Sequence, residues 1–228
     1  MLVNAGAEPP PLQPGLLSTV AWGIGDKIVY AIEAAIFVTG AGVQWLRDGL
    51  GIIDEAAETE ALAASLPDNQ GVYFVPAMSG LGSPYWDPYA RGTIVGLTRG
   101  SGRAEMARAT LEAIAYQSVD AVRAIEAATG TPISSLKADG GATANGWLMQ
   151  FQADVLGAAV IVPEISETTA LGAAMMAGVG AGLFTESDAA TLWRERVRYE
   201  PQMTDGERER LLADWARAVE RSRDWAGA

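Results

Sequence analysis

Histidine and cysteine are both absent from the 228 residues. Without histidine there is no Ser-His-Asp relay, no His-ligated zinc and no imidazole base. Without cysteine there are no disulfides, no thiolate nucleophile and no iron–sulfur ligation. Chemistry is left to carboxylates, Lys, Arg, Tyr and backbone dipoles. Basic charge is scarce too: 16 Lys and Arg stand against 28 Asp and Glu, a net charge of −12. A nucleic-acid binder needs a basic face to displace phosphate counterions, so no nucleic-acid partner is expected. The deficit does not bar a nucleotide, which backbone N–H groups can hold while a divalent cation offsets its charge. Long apolar runs are also lacking. The longest, Leu171 to Phe184, has 14 residues rich in Gly and Ala, too short to cross a bilayer. The opening MLVNAGAEPP has no basic segment of a secretory signal. These absences predict a soluble, cytoplasmic protein with no membrane partner.

What is present is ordinary globular composition, 49% hydrophobic and 19% charged. A chain of this length buries a sizeable core, as one large domain or two small ones. Disorder is expected only at the termini and in the Pro-rich stretch 8–14. Runs at 16–22 and 27–34 flank Gly23-Ile24-Gly25-Asp26 and predict a hairpin with a four-residue loop. Helices are predicted over 39–50, 54–64, 103–128, 144–156, 168–181 and 205–225. Strands are predicted over 71–77, 92–97, 135–139 and 159–163. In the long helix, Met106, Thr110, Ile114, Gln117, Ala121 and Ile125 recur on one side. In the last, Leu211, Leu212, Trp215, Val219 and Trp225 form the apolar side. There is no internal repeat and no long linker, so one α/β domain is expected. Its mixed sheet flanked by helices is of the kind seen in actin-like and ribonuclease-H-like ATPases.

Two short elements share one logic. In Asp139-Gly140-Gly141-Ala142-Thr143-Ala144-Asn145 a strand ends, two glycines turn the backbone and a helix begins. Such a junction presents N–H groups and a positive helix end to an anion or a nucleotide edge. Asn145, four residues after Gly141, would project its amide one helical turn along the same side. In Thr39-Gly40-Ala41-Gly42-Val43-Gln44 small residues again precede an amide, four positions after Gly40. Each alone also reads as a structural turn or as close helix packing. Together they suggest two walls of a nucleotide slot. A third element, GLGSPYWDPYARGTIVGLTRG at 80–100, packs aromatic, acidic and basic residues between glycines. Asp87 and Arg91 are placed to pair with each other and Trp86 to cap the core, so an ordering role is the first reading of this loop. The small-residue helix at 168–181 reads as buried, in close backbone contact.

The 80–100 segment resembles the hallmark of the FGGY carbohydrate kinases, and its SPYWDPYARG core is most similar to the glycerol kinases among them. Four further segments resemble the same family. Gly92-x-Ile94-x-Gly96-Leu97 followed by Glu105-Met106-x-x-Ala109-Thr110-Leu111-Glu112 looks like the second family signature. AIFVTGAGVQWLRD at 35–48 looks like the segment that closes on the nucleotide. ADGGATANGWLMQFQAD at 138–154 looks like the adenine-binding turn and helix, and ETTALGAAMMAG at 167–178 like the family's small-residue helix. The resemblance implies an actin-like domain that uses ATP and Mg2+ to phosphorylate glycerol or a similar polyol. It makes Gly40, Gln44, Gly141 and Asn145 nucleotide contacts, with Gly140 and Ala142 shaping the adenine pocket.

The resemblance also implies that residues 1–228 are only part of the second of two family domains. The first domain, with its glycerol contacts, and the leading strands, with the catalytic Asp, would lie outside this chain. No catalytic residue and no metal ligand is therefore assigned within it, Asp87 and Asp139 being only the nearest stand-ins. The polyol would be met through the missing domain, and the chain alone would be inactive. An incomplete N-terminal sheet edge would favour self-association, and a homo-oligomer is expected. Another FGGY sugar or polyol kinase, or a non-catalytic nucleotide-binding module, are the alternatives.

Overall fold

The computed structural model describes residues 1–227. The chain opens on three strands, β1 (Leu2–Gly6), β2 (Leu17–Ile24) and β3 (Lys27–Glu33). β3 lies between the other two and is antiparallel to both. The hairpin loop is shorter than the four residues expected. Gly23 and Ile24 pair with Ile28 and Lys27, which leaves only Gly25 and Asp26 to turn. Gly25 does so at φ +58°, a left-handed conformation that two-residue hairpins favour. β1 was not expected from the sequence, since its five residues become a strand only by pairing with β3.

The centre of the molecule is α3 (Arg103–Thr129). Of the expected stripe, Thr110, Ile114, Gln117, Ala121 and Ile125 are buried and Met106 is half-buried, but Leu111, Ala115, Tyr116, Val119 and Val122 are buried as well. A helix covered on several sides is a core helix. Around it stand α1 (Gly40–Gln44), α2 (Glu58–Ala64), α4 (Gly146–Leu156) and the antiparallel pair of β4 (Tyr73–Val75) and β5 (Thr93–Val95). The helix expected over 39–50 is interrupted, because α1 runs directly into a π turn at Trp45–Gly49. Gly49 lies against the Trp45 indole, where a Cβ would come within 2.5 Å of Cδ1.

α4 leads into β7 (Ala159–Pro163), which pairs parallel with β6 (Ser135–Lys137) and antiparallel with β8 (Glu195–Tyr199). This mixed sheet with helical cover is the α/β arrangement the sequence predicts. Glu195-Arg-Val-Arg-Tyr199 lies mostly exposed along an edge, so it lacks the apolar alternation that marks a strand. β1 and β6 each leave one side unpaired among the described residues. A groove of 760 Å³ runs between them, lined by Met1–Val3 and 135–139. Each of these two sheets therefore presents an open edge strand to the groove.

α7 (Asp205–Ser222) docks through Leu211, Leu212, Trp215 and Val219, all buried. It ends before Trp225, which is 73% exposed and not part of the apolar side. Trp215 stacks on Tyr116 at 5.3 Å, and Tyr116 stacks on Tyr73 at 5.8 Å and meets Phe151 edge-on at 5.6 Å. One aromatic cluster thus joins α3, α4, α7 and β4.

α5 (Thr168–Gly180) departs most from expectation. The sequence predicts a buried helix, yet Gly178 is its only buried residue, seated against the Phe184 ring. Small apolar residues permit close packing but do not supply a partner. Among the described residues the short α6 (Glu186–Ala190) is the element packed most closely on it. No helix among the described residues is long and apolar enough to cross a membrane.

Gly96 ends the β5 segment at φ +83°, and a Cβ there would run into the Gly71 carbonyl. Gly96→Ala combines left-handed strain with a backbone clash. The expected loss is about 3 kcal/mol of unfolding free energy, read from urea denaturation. A variant as stable as the parent would contradict the close approach of these two loops.

Candidate functional site

β6 runs into the Asp139-Gly140-Gly141 turn. Gly140 takes φ +85°, its N–H donates to the Ser166 carbonyl at 2.9 Å, and Thr143 Oγ1 donates to the Gly140 carbonyl at 2.8 Å. Residues 141–144 then coil into a 3-10 turn before α4 starts. Asn145 is the N-cap of α4, with extended backbone rather than a place inside the helix as expected. Its Oδ1 accepts from the Leu148 N–H at 2.9 Å and its Nδ2 donates to Thr59 Oγ1 at 3.3 Å. Asparagine is a strong N-cap because its carbonyl satisfies an orphan N–H of the first turn. That preference moves the helix start from Ala144 to Gly146.

A pocket of 460 Å³ opens between this turn, α1 and α2. Gly40, Gln44, Gly141, Ala142 and Asn145 all line it. The two Gly-to-amide elements, about a hundred residues apart in sequence, are thus its opposing walls. Gly140 is not on the lining and shapes the turn from one residue behind. Leu111 and Ile114 of α3 add an apolar surface. Gly42, on α1, keeps the wall close to α3, since a Cβ would come 3.2 Å from Thr110 Cγ2.

Sequence reasoning missed Arg47, Thr59 and Glu60, which also line the pocket. Glu60 Oε1 accepts from the Trp147 N–H at 3.2 Å, and Arg47 is bonded to Asp48 at 2.7 Å. Arg47 lies inside the 35–48 segment without being singled out there, and no local motif marks Thr59 or Glu60. Only the packing of α2 against α4 brings Thr59 and Glu60 to the site. The pocket joins apolar walls to two amides, one carboxylate and one guanidinium, which suits a flat heterocycle with polar edges.

The 80–91 loop lies outside this lining. Asp87 does not pair with Arg91. It accepts from the Tyr89, Ala90 and Asp224 N–H groups at 2.8, 2.9 and 3.0 Å, and Arg223 stands 3.8 Å away. Burial works to raise the Asp87 pKa, and those three N–H bonds outweigh it and hold the carboxyl below its usual range. Arg91 instead donates to the Pro88 and Ala90 carbonyls. Trp86 does not cap the core. It is 41% exposed, with its Nε1 donating to the Gly15 carbonyl at 2.9 Å. Tyr85 donates to Asp120 at 2.9 Å, and Trp215 Nε1 donates to the same carboxyl oxygen at 2.7 Å. Burial raises the Asp120 pKa, and burial with the Asp120 charge raises that of Tyr85. Asp139 accepts from the Thr168 hydroxyl, which ties the glycine turn to the start of α5.

Residues 1–181 match the sequence model of the FGGY family of carbohydrate kinases, C-terminal domain. The chain belongs to this family. It is 56% identical over 227 residues to the glycerol kinase of Symbiobacterium thermophilum, covering 99% of this chain and 46% of that protein. The glycerol kinase of Petrotoga mobilis is 54% identical over 226 residues, with 99% and 45% covered. The chain spans about half the length of the curated relatives it matches. Among solved structures, the Plasmodium falciparum glycerol kinase with ADP superimposes with a TM-score of 0.86 at 34% identity, covering 97% of this chain and 44% of that one. The gluconate kinase of Lactobacillus acidophilus, at 22% identity and a TM-score of 0.79, shares the fold across 100% of this chain and 45% of its own.

Proposed function

We propose that the pocket holds the adenine end of ATP and that the chain forms the nucleotide-binding side of an ATP-dependent glycerol kinase. The observation that carries this reading is the convergence of Gly40, Gln44, Gly141, Ala142 and Asn145 on one pocket from two distant segments. Leu111, Ile114 and Ala142 would cover the faces of the base, while Gln44 and Asn145 meet its polar edges. Relatives that are glycerol kinases, and the ADP in one such structure, support the choice of nucleotide and polyol. α7 shares the aromatic core with α3, which supports a domain that continues beyond residue 181. Among the described residues no group of three or more carboxylates is placed to hold a metal. The residues present do not form a magnesium cage, and the ion would arrive on the nucleotide's own phosphates. Glycerol and the group that orients its hydroxyl would be met by structure outside residues 1–228. A cytoplasmic setting and a homo-oligomer belong to the same reading.

Calorimetric titration of the purified chain with ADP and ATP, magnesium present, tests it. Saturable binding is expected, weakened at least about tenfold by Asn145→Ala. Because that change also removes the α4 cap, at about 1 kcal/mol of stability, Gln44→Ala serves as the companion. Gln44 is exposed on α1 and its side chain caps no helix. Absence of binding by a folded chain would overturn the reading.

A further inference from the structure

Glu60 is the only acidic residue on the pocket lining. Its Oε1 is held at the first turn of α4 by the Trp147 N–H, 3.2 Å away. Gly146 makes room for it, since a Cβ there would stand 3.1 Å from that oxygen. The second oxygen, Oε2, has no hydrogen-bond partner among the described residues, and no Lys or Arg is paired with it. We propose that Glu60 reads the nucleobase, accepting a hydrogen bond from an exocyclic amine through Oε2. The proposal rests on the assignment of the pocket to a nucleotide and adds to it the feature by which the base is chosen.

The other polar side chains discussed for the pocket are less selective or partly engaged. Gln44 has a free amide that offers either a carbonyl or an NH2 group by rotation, so it accommodates donor and acceptor edges alike. Asn145 already uses its carbonyl on Leu148 and one N–H on Thr59. Arg47 is donor-only and is engaged by Asp48. An ionised carboxylate accepts and never donates. With Oε1 held by the Trp147 N–H, Oε2 is left as the unengaged acceptor oxygen, which the amine of a 6-aminopurine satisfies. A purine without that amine would bury Oε2 unpaired, and an unpaired charged acceptor is penalised more heavily than a neutral one. Glu60 is thus assigned as a specificity residue. It sits on α2, a segment where the sequence shows no nucleotide motif.

The test compares two ligands, ADP and purine riboside diphosphate, which differ only in the amine. Each is titrated into the parent chain, Glu60→Gln and Glu60→Ala. The parent is expected to prefer ADP by about 10- to 100-fold. The preference should fall to near unity in Glu60→Ala. It should vanish or reverse in Glu60→Gln, whose carbonyl can keep the Trp147 contact while its NH2 faces the base. A purely structural role for Glu60 would weaken both ligands equally and leave the ratio intact. An unchanged ratio in the variants, or no preference in the parent, overturns the proposal while leaving the nucleotide site standing. Failure of both ligands to bind the folded parent chain overturns the nucleotide site and this proposal with it.

Discussion

Trp215→Ala is expected to lower the unfolding free energy by about 3–5 kcal/mol, a large share of the roughly 5–15 kcal/mol available to a domain. The indole is 1% exposed and lies at the meeting point of α3 and α7. Truncation removes its stacking on Tyr116 and opens a void that rigid neighbours fill only in part. It also removes one of the two donors to Asp120, a half-buried carboxyl. Trp215→Phe separates these terms. It keeps most of the ring contact and loses the hydrogen bond, with an expected cost of about 1–3 kcal/mol. Burial sets the folded pKa of Asp120 above its unfolded value. The native state therefore holds that proton more tightly, and stability is lost as pH rises from the ordinary carboxylate range through the folded pKa. Without the indole donor the folded pKa climbs further, so Trp215→Phe should show a steeper loss over that interval. Urea titrations at several pH values measure both effects. A cost below about 1 kcal/mol for Trp215→Ala would mean that α7 is not part of the core.

A polypeptide of residues 1–228, supplied with ATP, magnesium and glycerol, is expected to release no ADP in a glycerol-dependent manner. Phosphoryl transfer needs a carboxylate to orient or deprotonate the attacking hydroxyl, worth about 10²–10⁴ in rate. It also needs both substrates held in line, worth roughly 7–11 kcal/mol of the barrier. The carboxylates nearest the recognisable motifs are committed elsewhere. Asp87 accepts three backbone N–H groups, and Asp139 is bonded to Thr168. A coupled assay with and without glycerol decides the matter. Glycerol-dependent ADP release that disappears in Asp139→Asn or Asp87→Asn would place a catalytic carboxylate within this chain.

The hydrophobic period of α3 and α7, the Gly-Gly turn after β6 and the small-residue wall at Gly40 were all legible because each depends on neighbours within a turn or two. The hairpin was legible too, though its loop was overestimated because Gly23 and Ile24 look like turn residues until β3 pairs with them. Asn145 was expected just inside the helix and caps it instead, since spacing alone does not separate an N-cap from an interior position. β1 and β8 went unseen because edge strands owe their existence to a partner and need no apolar alternation.

By itself the sequence determined which chemistry was closed to the chain, which residues turn or cap its backbone, and which kinase family its motifs resemble. These follow from side-chain type and short-range spacing. Tertiary structure alone decided that two distant Gly-to-amide elements face each other, that α2 brings Glu60 to their pocket, and that the apolar α5 lies largely uncovered. Burial and pairing are properties of contacts between remote segments, and a residue's identity states only what such a contact would be worth if the fold supplied it.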